Sequence, residues 1–280
     1  MIIVLDARTA TDHFPGIGRY VVNLARALSS IAPDLDLRLF CDPTAMSSRW
    51  TLTNLSLTHL PISPFSLQQQ WRVRQTLRHL KAALYHSPYY LMPYRPGVPT
   101  VLTAYDVIPL AYPHYYTAAQ RLIFRSAHTL ALKVVKMTLA ISEATKADLV
   151  RRLGAQPDRI RVTPLAADPR FAPQSTAAIQ TARDKYHLPE RYLLYVGSNK
   201  PHKNLARLVS AFTISATRKP KPEISLVIAG SWDNRYPEAR QLAAQNARIR
   251  FLGPIDDADL PALYRSEEHT SELQSQFHLV

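Results

Sequence analysis

The stretch Tyr195-Val196-Gly197-Ser198-Asn199-Lys200-Pro201-His202-Lys203-Asn204-Leu205 decides the fold of this chain. The apolar run Tyr192–Val196 predicts a buried strand that ends at the glycine, and Leu205 and Val209 begin a helical pattern of apolar residues. A helix N-terminus offers free N–H groups and a partial positive charge, to which the lysines add full charges. The stretch therefore predicts a strand, a glycine turn and a helix that bind an anion such as a phosphate. An ordinary strand-to-helix connection with solvated lysines is the alternative.

Short apolar runs alternate with amphipathic patterns along the rest of the chain, which is typical of repeated strand–helix units. Such units predict an α/β fold in which a parallel sheet is covered by helices on both faces. Strands are expected at 2–5, 37–40, 84–86, 100–104, 139–142, 160–163, 192–196, 224–229 and 249–252. Helices are expected at 18–32, 64–82, 117–135, 143–153, 203–216, 237–246 and 257–264.

The composition indicates an anionic partner and a reducing compartment. The net charge is +13 and the pI about 10.0, which favours phosphorylated ligands, nucleic acid or an acidic membrane surface. Cys41 is the only cysteine, so a disulfide framework is excluded, and its apolar neighbours predict a buried thiol. Apolar runs are too short to span a membrane and the chain does not begin with a signal-peptide pattern. We therefore expect a cytoplasmic location.

The end of the sequence differs in character from the rest. The run Arg265-Ser266-Glu267-Glu268-His269-Thr270-Ser271-Glu272-Leu273-Gln274-Ser275 resembles the in-frame translation of a common short-read sequencing adapter. We therefore interpret residues 265–280 as an artefactual tail and expect the natural sequence to continue differently after Tyr264. The alternative is a polar helix end.

Five segments, taken in order, resemble the family 4 (group 1) retaining glycosyltransferases. They are Pro15-Gly16-Ile17-Gly18-Arg19-Tyr20, Tyr105-Asp106-Val107-Ile108-Pro109-Leu110, Ala140-Ile141-Ser142-Glu143, Arg161-Val162-Thr163-Pro164-Leu165-Ala166-Ala167-Asp168, and the stretch from Tyr195 to Leu205. The resemblance covers residues 1 to about 264 and implies the GT-B architecture of two Rossmann-like domains, the second incomplete. It places an acceptor-side domain at 1–168, a hinge and linker at 169–190, and a partial nucleotide-sugar-binding domain at 191–264.

The resemblance implies a hexosyltransferase of polysaccharide biosynthesis. Such enzymes move a sugar, here expected to be a mannose-type hexose, from a nucleotide-sugar to a saccharide or lipid-linked acceptor, with retention and without a metal or other cofactor. The family's pair of glutamates separated by seven residues is missing, because Glu267, Glu268 and Glu272 do not have that spacing. We therefore expect the chain as given to be an inactive fragment. A non-catalytic nucleotide-binding fragment and a basic nucleic-acid-binding protein are the alternatives, although the chain has no nucleic-acid-binding motif and we expect no nucleic acid as a partner.

The donor-binding residues are assigned by matching positions in the resemblance. They are Lys203, Ser198, His202, Asn204, Gly230 and Gly253. Lys203 stands where the family places a lysine on the donor phosphates, whereas Ser198 and His202 stand where relatives often have arginine. Gly230 and Gly253 follow the next two strands and match loops that frame the nucleotide.

The acceptor-side and catalytic residues are assigned in the same way. Gly16, Gly18 and Arg19 match a loop that approaches the acceptor, with a plain helix entry as the alternative. Tyr105 and Asp106 follow a strand at its carboxyl end, where open α/β sheets bind ligands. Relatives usually have histidine at position 105, whereas a tyrosine donates a hydrogen bond but is a poor base at neutral pH. Asp106 either contacts a sugar hydroxyl or caps a helix.

The pattern Asp257-Ala258-Asp259 has the spacing of a metal-binding Asp-x-Asp motif. It stands at the start of an expected helix, so we interpret these aspartates as helix caps and expect no metal site.

The expected helix at 64–82 combines one tryptophan with a basic face. Its residues are Trp71, Arg72, Arg74, Arg78 and Lys81. This combination favours anionic lipid headgroups and predicts peripheral contact with the inner face of a membrane, with a solvated basic helix as the alternative.

Overall fold

The structure is a computed structural model that describes residues 1–48, 50, 52, 55–218 and 224–266. The chain divides into two compact units, of which the first is Met1–Ala166 and the second begins at Ala167. Each unit has its own parallel sheet with helices packed on it. This arrangement confirms the predicted α/β fold class.

A parallel sheet of seven strands forms the centre of the first unit. The strands are β1 (Ile2–Asp6), β2 (Asp36–Cys41), β3 (Ser56–His59), β4 (Leu84–Ser87), β5 (Thr100–Ala104), β6 (Met137–Ala140) and β7 (Ile160–Val162). Their order in the sheet is β3-β2-β1-β4-β5-β6-β7. The chain therefore runs outward from β1 on one side and outward from β4 on the other. In open parallel sheets, ligands bind at the carboxyl ends of the strands beside such a reversal.

Helices cover both faces of this sheet because each of them buries one apolar stripe. Consecutive residues of β1 point to opposite faces. Leu5 packs against Val21 of α1 (Pro15–Ile31), whereas Val4 packs against Leu77 of α2 (Gln69–His79). The other helices of this unit are α3 (Ile108–Ala111), α4 (Ala118–Val134) and α5 (Glu143–Leu153), with 3₁₀ turns at Pro113–Tyr115 and Pro157–Arg159.

Helix α4 lies on the same face of the sheet as α2. Tyr85 of β4 packs in the core beneath α2 and is in register with Thr100 of β5. Leu102, two residues further along β5, therefore points to the same face. Leu102 packs against Ala131 of α4.

The second unit has a small parallel sheet of three strands in the described ranges. The strands are β8 (Tyr192–Val196), β9 (Ser225–Ala229) and β10 (Ile249–Gly253), in the order β10-β9-β8. The helices are α6 (Thr176–Lys185), α7 (Leu205–Arg218), α8 (Glu238–Ala243) and α9 (Leu260–Arg265). The predicted apolar pattern of α7 is confirmed, because Leu205, Val209 and Phe212 are buried against β9.

Sequence patterning missed the elements that bury few apolar side chains. Strand β3 is a largely exposed edge strand. Helix α6 falls in the segment expected to be hinge and linker, and Ala182 is its one buried residue. It is nevertheless defined locally, because the hydroxyl of Ser175 accepts a hydrogen bond from the N–H of Ala178 at 3.2 Å.

Several boundaries also differ from the predicted ones. Helix α1 begins at Pro15 instead of residue 18, because the fixed φ of proline suits the first helical position. Strand β6 is Met137–Ala140 instead of 139–142. At the other end of the chain, α9 includes Arg265, and Ser266 is buried. Most of the suspected tail, including the three glutamates at 267, 268 and 272, lies outside the described residues.

Candidate functional site

Three glycines meet at the carboxyl edge of the second sheet. The N–H of Gly197, which follows β8, donates to the carbonyl of Ala229 at 2.9 Å, and the N–H of Gly230 donates to the carbonyl of Gly253 at 2.8 Å. Gly230 has a φ of +131°, and a Cβ built on it would lie 2.2 Å from the carbonyl oxygen of Gly197. A side chain cannot be accommodated at this point, so the edge is bare backbone. The structure thus brings the predicted Gly230 and Gly253 together.

Two side chains shape the loop that leaves β8. The hydroxyl of Tyr195 donates to the carbonyl of Ser198 at 2.8 Å. The buried Asn199 donates to the carbonyls of Asp233 and Tyr236 at 2.8 and 2.7 Å, and its side-chain oxygen accepts the N–H of Asp233 at 2.8 Å. Asn199 therefore ties this loop to the loop after β9. Sequence reasoning missed Asn199 because its partners lie 34 and 37 residues away and leave no local pattern.

The helix that was expected to begin at residue 203 begins at Leu205, so Lys200, His202 and Lys203 all precede it. Lys200 leads into a 3₁₀ turn at Pro201–Lys203, and Asn204 takes a left-handed φ of 57° before α7 begins. Burial, followed by the charges of Lys203 and Lys200, lowers the pKa of His202 to about 4, so its ring is neutral at pH 7. The positive charge of this site therefore comes from the two exposed lysines and from the free N–H groups of the first turn of α7.

A chain of polar contacts lies beside the reversal point of the first sheet. Nε2 of the buried His86 is 2.8 Å from Oγ1 of Thr103, and the hydroxyl of Tyr20 is 3.1 Å from the same atom. The ring of Tyr20 meets the ring of Tyr105 edge-on, with centroids 5.5 Å apart. Tyr20 was not a predicted site residue, because its place on the buried side of α1 reads as core packing.

Tyr105 is held firmly and carries an unused hydrogen-bonding group. Within the described part of the chain its hydroxyl is shielded from solvent and has no hydrogen-bond partner. Burial, and then the neighbouring Tyr20, raises the pKa of Tyr105 well above its usual value. Its carbonyl accepts a hydrogen bond from Oγ1 of Thr145 at 2.8 Å, while Ser142, the N-cap residue of α5, accepts the N–H of Thr145 at 3.1 Å. Tyr105 is therefore a fixed hydrogen-bond donor at neutral pH.

Asp106 lies on the surface beside Tyr105. Its carboxylate accepts a hydrogen bond from the N–H of Ile108, the first residue of α3, at 3.0 Å. This contact favours the capping alternative for Asp106.

The buried His86 makes the first unit sensitive to acid. Burial lowers the pKa of His86 from 6.5 to about 4, so the imidazole is neutral in the folded state and takes up a proton on unfolding in mild acid. The stability that the neutral His86 contributes to the folded state is fully present above pH 6.5 and is lost as the pH falls toward 4. We expect this group to lower the free energy of unfolding by about 2 kcal/mol between pH 7 and pH 5.

Urea unfolding of the protein and of His86→Gln at both pH values checks this expectation. In the variant, the free energy of unfolding should fall by about 2 kcal/mol less between pH 7 and pH 5 than in the parent protein. His128, whose pKa burial lowers to about 3, contributes equally to both proteins. An unchanged pH difference in the variant would contradict the role assigned to His86.

The predicted acceptor loop is the beginning of a helix. Gly16, Gly18 and Arg19 all lie in the first turns of α1. A Cβ on Gly18 would lie 3.1 Å from Cα of Ala10 and from Nε1 of Trp50, so Gly18 permits close packing. Gly16 has no atom within 4 Å of such a Cβ, and the guanidinium of Arg19 lies 5.9 Å from the ring centroid of Trp50.

A buried ion pair closes the carboxyl end of β1. Nη2 of Arg8 lies 2.6 Å from Oδ2 of Asp6, and the hydroxyl of Tyr85 donates to the same oxygen at 2.5 Å. Arg8 also donates to the carbonyl of Ile62 at 3.1 Å and to Oε1 of Gln69 at 3.3 Å. These contacts leave Arg8 no free face and assign it a structural role.

The late Asp-x-Asp pattern is used in ion pairs. Asp257 lies 2.9 Å from Arg170, and Asp259 accepts from Lys185 and from the hydroxyl of Tyr186, both at 2.7 Å. Asp259 makes no side-chain cap hydrogen bond to α9, so the capping interpretation is wrong for this residue. The described residues contain no group of three or more His, Cys, Asp or Glu side chains that could hold a metal ion.

Comparison with protein families gives matches along most of the chain. The sequence model described as "Glycosyltransferase Family 4" matches residues 15–171, which is more than half of the chain. The model described as "Glycosyl transferases group 1" matches residues 179–271.

Individual relatives agree with these matches. The O-antigen chain mannosyltransferase B of Escherichia coli is 28% identical in an alignment that covers 94% of this chain and 74% of that protein. The D-inositol 3-phosphate glycosyltransferase of Corynebacterium efficiens is 32% identical over 44% of this chain and only 31% of that protein. Among solved structures, Anabaena Alr3699/HepE in complex with UDP-glucose has a TM-score of 0.72 at 16% identity, covering 96% of this chain and 72% of that one. This last similarity establishes the fold.

Proposed function

Because this chain belongs to the family 4, group 1 glycosyltransferases, we propose that the full-length protein transfers a hexose from a nucleotide-sugar to a saccharide or lipid-linked acceptor in polysaccharide biosynthesis. We also propose that residues 1–280, which lack the family's pair of glutamates, bind the donor but do not transfer the sugar. The similarity to an O-antigen chain mannosyltransferase supports a mannose-type sugar. The UDP-glucose in the Anabaena neighbour supports a nucleoside diphosphate donor.

The observation that carries the proposal is the edge formed by Gly197, Gly230 and Gly253. It presents backbone without side chains, so a ligand can approach closely, and only glycine fits at position 230. In the loop that leaves β8 after Gly197, Lys203 is exposed and α7 begins two residues later, at Leu205. A diphosphate is the group that matches bare backbone, a helix N-terminus and a lysine in one place.

The proposed chemistry places the negative charge of the leaving group at this edge. Departure of the nucleoside diphosphate builds charge on its phosphate oxygens, and preorganised positive groups lower that barrier. Lys203 and the first turn of α7 would supply this stabilisation. We propose transfer with retention and with no metal or other cofactor, as the family resemblance implies.

Titration calorimetry with a panel of nucleoside diphosphate sugars tests the proposal. We expect saturable binding of at least one member, with the matching nucleoside diphosphate as a competitor. Transfer to a lipid-linked or saccharide acceptor would then be followed with the full-length protein and the donor that binds, whereas residues 1–280 alone should show no transfer. Failure of every donor to bind to protein that circular dichroism shows to be folded would overturn the proposal.

We propose that the hydroxyl of Tyr105 donates a hydrogen bond to a sugar hydroxyl during transfer. Tyr105→Phe should then lower the turnover of the full-length protein about tenfold, because one substrate hydrogen bond is lost. The same change should leave the free energy of unfolding unchanged or raise it by up to about 1 kcal/mol, because the hydroxyl is buried without a partner. Transfer kinetics and urea unfolding of the same samples measure both effects.

Tyr20→Phe is the matched control, since it removes a hydroxyl that does have a partner, Thr103. It should cost about 1 kcal/mol of stability. If Tyr105→Phe destabilises the protein as much as Tyr20→Phe and leaves the turnover unchanged, then the Tyr105 hydroxyl has no part in transfer.

A peripheral contact with an anionic membrane would bring the protein to a lipid-linked acceptor. Trp71 on α2 is 56% exposed, and Arg72, Arg74, Arg78 and Lys81 are exposed around it. A tryptophan among cations favours the interface of an anionic bilayer. Across the described ranges, the helices are too short or too polar to cross a bilayer. The protein would then lie at the surface of the bilayer and reach a lipid-linked acceptor from there.

A further inference from the structure

The positive charge of this protein is concentrated in one part of the chain. From Pro43 to Ser142 the sequence has ten lysines and arginines and a single acid, Asp106. This third of the chain therefore carries +9 of the total +13. It contains α2 and α4, which lie on the same face of the first sheet.

The segment between β4 and β5 connects the two helices. The side chain of Gln70 in α2 donates to the carbonyl of Met92 at 3.1 Å and accepts the N–H of Tyr94 at 2.9 Å. Tyr90 of the same segment stacks on His128 of α4, with centroids 3.9 Å apart. The outer sides of α2 and α4 are therefore parts of one layer.

The outer side of α4 is apolar and basic at once. Ile123 is 66% exposed and Leu122 is 64% exposed, although the opposite side of the helix is already buried in the core. We call this outer side the α4 face; its residues are Leu122, Ile123, Arg125, Leu130, Lys133 and Val134. From Val107 to Ser142 the sequence has no acid to neutralise its cations.

A cavity of about 240 Å³ opens beside the α4 face. It is lined by Leu110, Pro113, Arg121, Leu122 and Arg125. Nε of Arg121 is shielded from solvent and has no hydrogen-bond partner within the described ranges. Arg125 donates to the carbonyl of Arg152 at 2.9 Å, which fixes its guanidinium at the rim. Two arginines in an apolar cavity provide the fork-shaped donors that match a phosphate group.

We propose that the α4 face docks on an anionic lipid bilayer and that this cavity receives one lipid phosphate. The inference rests on the membrane contact proposed above and extends it from α2 to α4. Exposed aliphatic side chains enter the headgroup region while the surrounding cations meet anionic lipids. A second copy of this chain is disfavoured as the occupant, because pairing two α4 faces would oppose like charges. Nucleic acid is disfavoured because aliphatic side chains neither stack on bases nor contact phosphates.

Flotation with vesicles of phosphatidylcholine, with and without phosphatidylglycerol, tests this inference. We expect the protein to bind the anionic vesicles and Arg121→Gln/Arg125→Gln to bind about 30-fold more weakly, from two lost surface cations. Ile123→Glu should also lose binding. The matched controls are Arg26→Gln/Arg38→Gln and Ile31→Glu, which make the same changes on α1 and β2, where Ile31 is 77% exposed. These controls should retain binding apart from a small effect of net charge.

Four outcomes would overturn the inference, the fourth being loss of binding in Trp71→Ala alone. The first is equal vesicle binding by the double arginine variant and its control. The second is binding of free phosphate in place of a lipid: inorganic phosphate raises the melting temperature of the parent protein but not of the double variant, while both bind vesicles equally. The third is self-association that Ile123→Glu abolishes, without vesicle binding by the parent protein. Loss of binding in Trp71→Ala alone would leave the α2 contact standing and remove α4 from it. Donor binding should be unchanged in the same variants. Its measurement therefore distinguishes failure of the membrane-docking inference from failure of the proposed transferase function.

Discussion

Gly230→Ala is expected to destabilise the second unit by about 3 kcal/mol or more, which is a large share of the stability of a small domain. The new Cβ would lie 2.2 Å from the carbonyl oxygen of Gly197, and the φ of +131° at this position is strained for any other residue. Relief would require β8 and β9 to separate at the edge where the N–H of Gly197 is bonded to Ala229. Urea unfolding followed by circular dichroism measures the loss, and donor binding should disappear with it.

Gly253→Ala is the control that separates backbone strain from collision. Gly253 also has a positive φ, +76°, but no atom lies within 4 Å of a Cβ built on it. Its cost should therefore be only about 1 kcal/mol. If Gly230→Ala and Gly253→Ala prove equally stable, the two strand ends are not as close as the structure places them.

In the full-length protein, Lys203→Ala is expected to lower kcat/KM for the donor on the order of 100-fold, the usual effect of removing one group that stabilises a developing charge. The neighbouring His202 cannot compensate, because its depressed pKa of about 4 keeps it neutral at pH 7. Stability should be unaffected, since Lys203 is exposed. Initial rates over a range of donor concentrations, together with calorimetric affinity for the nucleoside diphosphate, measure the effect.

Lys200→Ala serves as the neighbouring control with the same change of charge. It should cost tenfold or less, because Lys200 lies on the far side of the 3₁₀ turn from α7. Lys203→Arg should recover part of the rate, since a cation is restored with a different shape. Equal losses in Lys200→Ala and Lys203→Ala would indicate a general positive potential in place of a specific contact.

The sequence predicts the buried parallel strands well because they are continuous apolar runs. Strands β5 and β8 have the predicted bounds, and Gly230 and Gly253, which the family resemblance assigns to the donor site, stand at strand ends as expected. Position 204 shows where local patterning fails. The left-handed Asn204 separates the lysines from α7, and nothing in the helical periodicity of the following residues reveals that break.

The contacts that shape the candidate site depend on distant partners. Asn199 reads as one more polar loop residue until Asp233 and Tyr236 are placed beside it. The position of Tyr20 likewise indicates only helix packing until the structure shows its hydroxyl hydrogen-bonded to Thr103, 83 residues later. Such roles are fixed by tertiary structure, so spacing within one segment carries no signal for them. Charge distribution is different, since the shortage of acids between Pro43 and Ser142 is visible in the sequence alone.

The buried Arg8 constrains the order in which the first unit can assemble. Its partners are Asp6 of β1 and Ile62 and Gln69, which are 54 and 61 residues away in sequence, while Tyr85 of β4 donates to the same Asp6 carboxylate. A partly folded state that enclosed Arg8 before these segments arrived would hold a charge with too few hydrogen bonds, at a cost of several kcal/mol. We therefore expect β1, β4 and the entry to α2 to close around this ion pair together during folding.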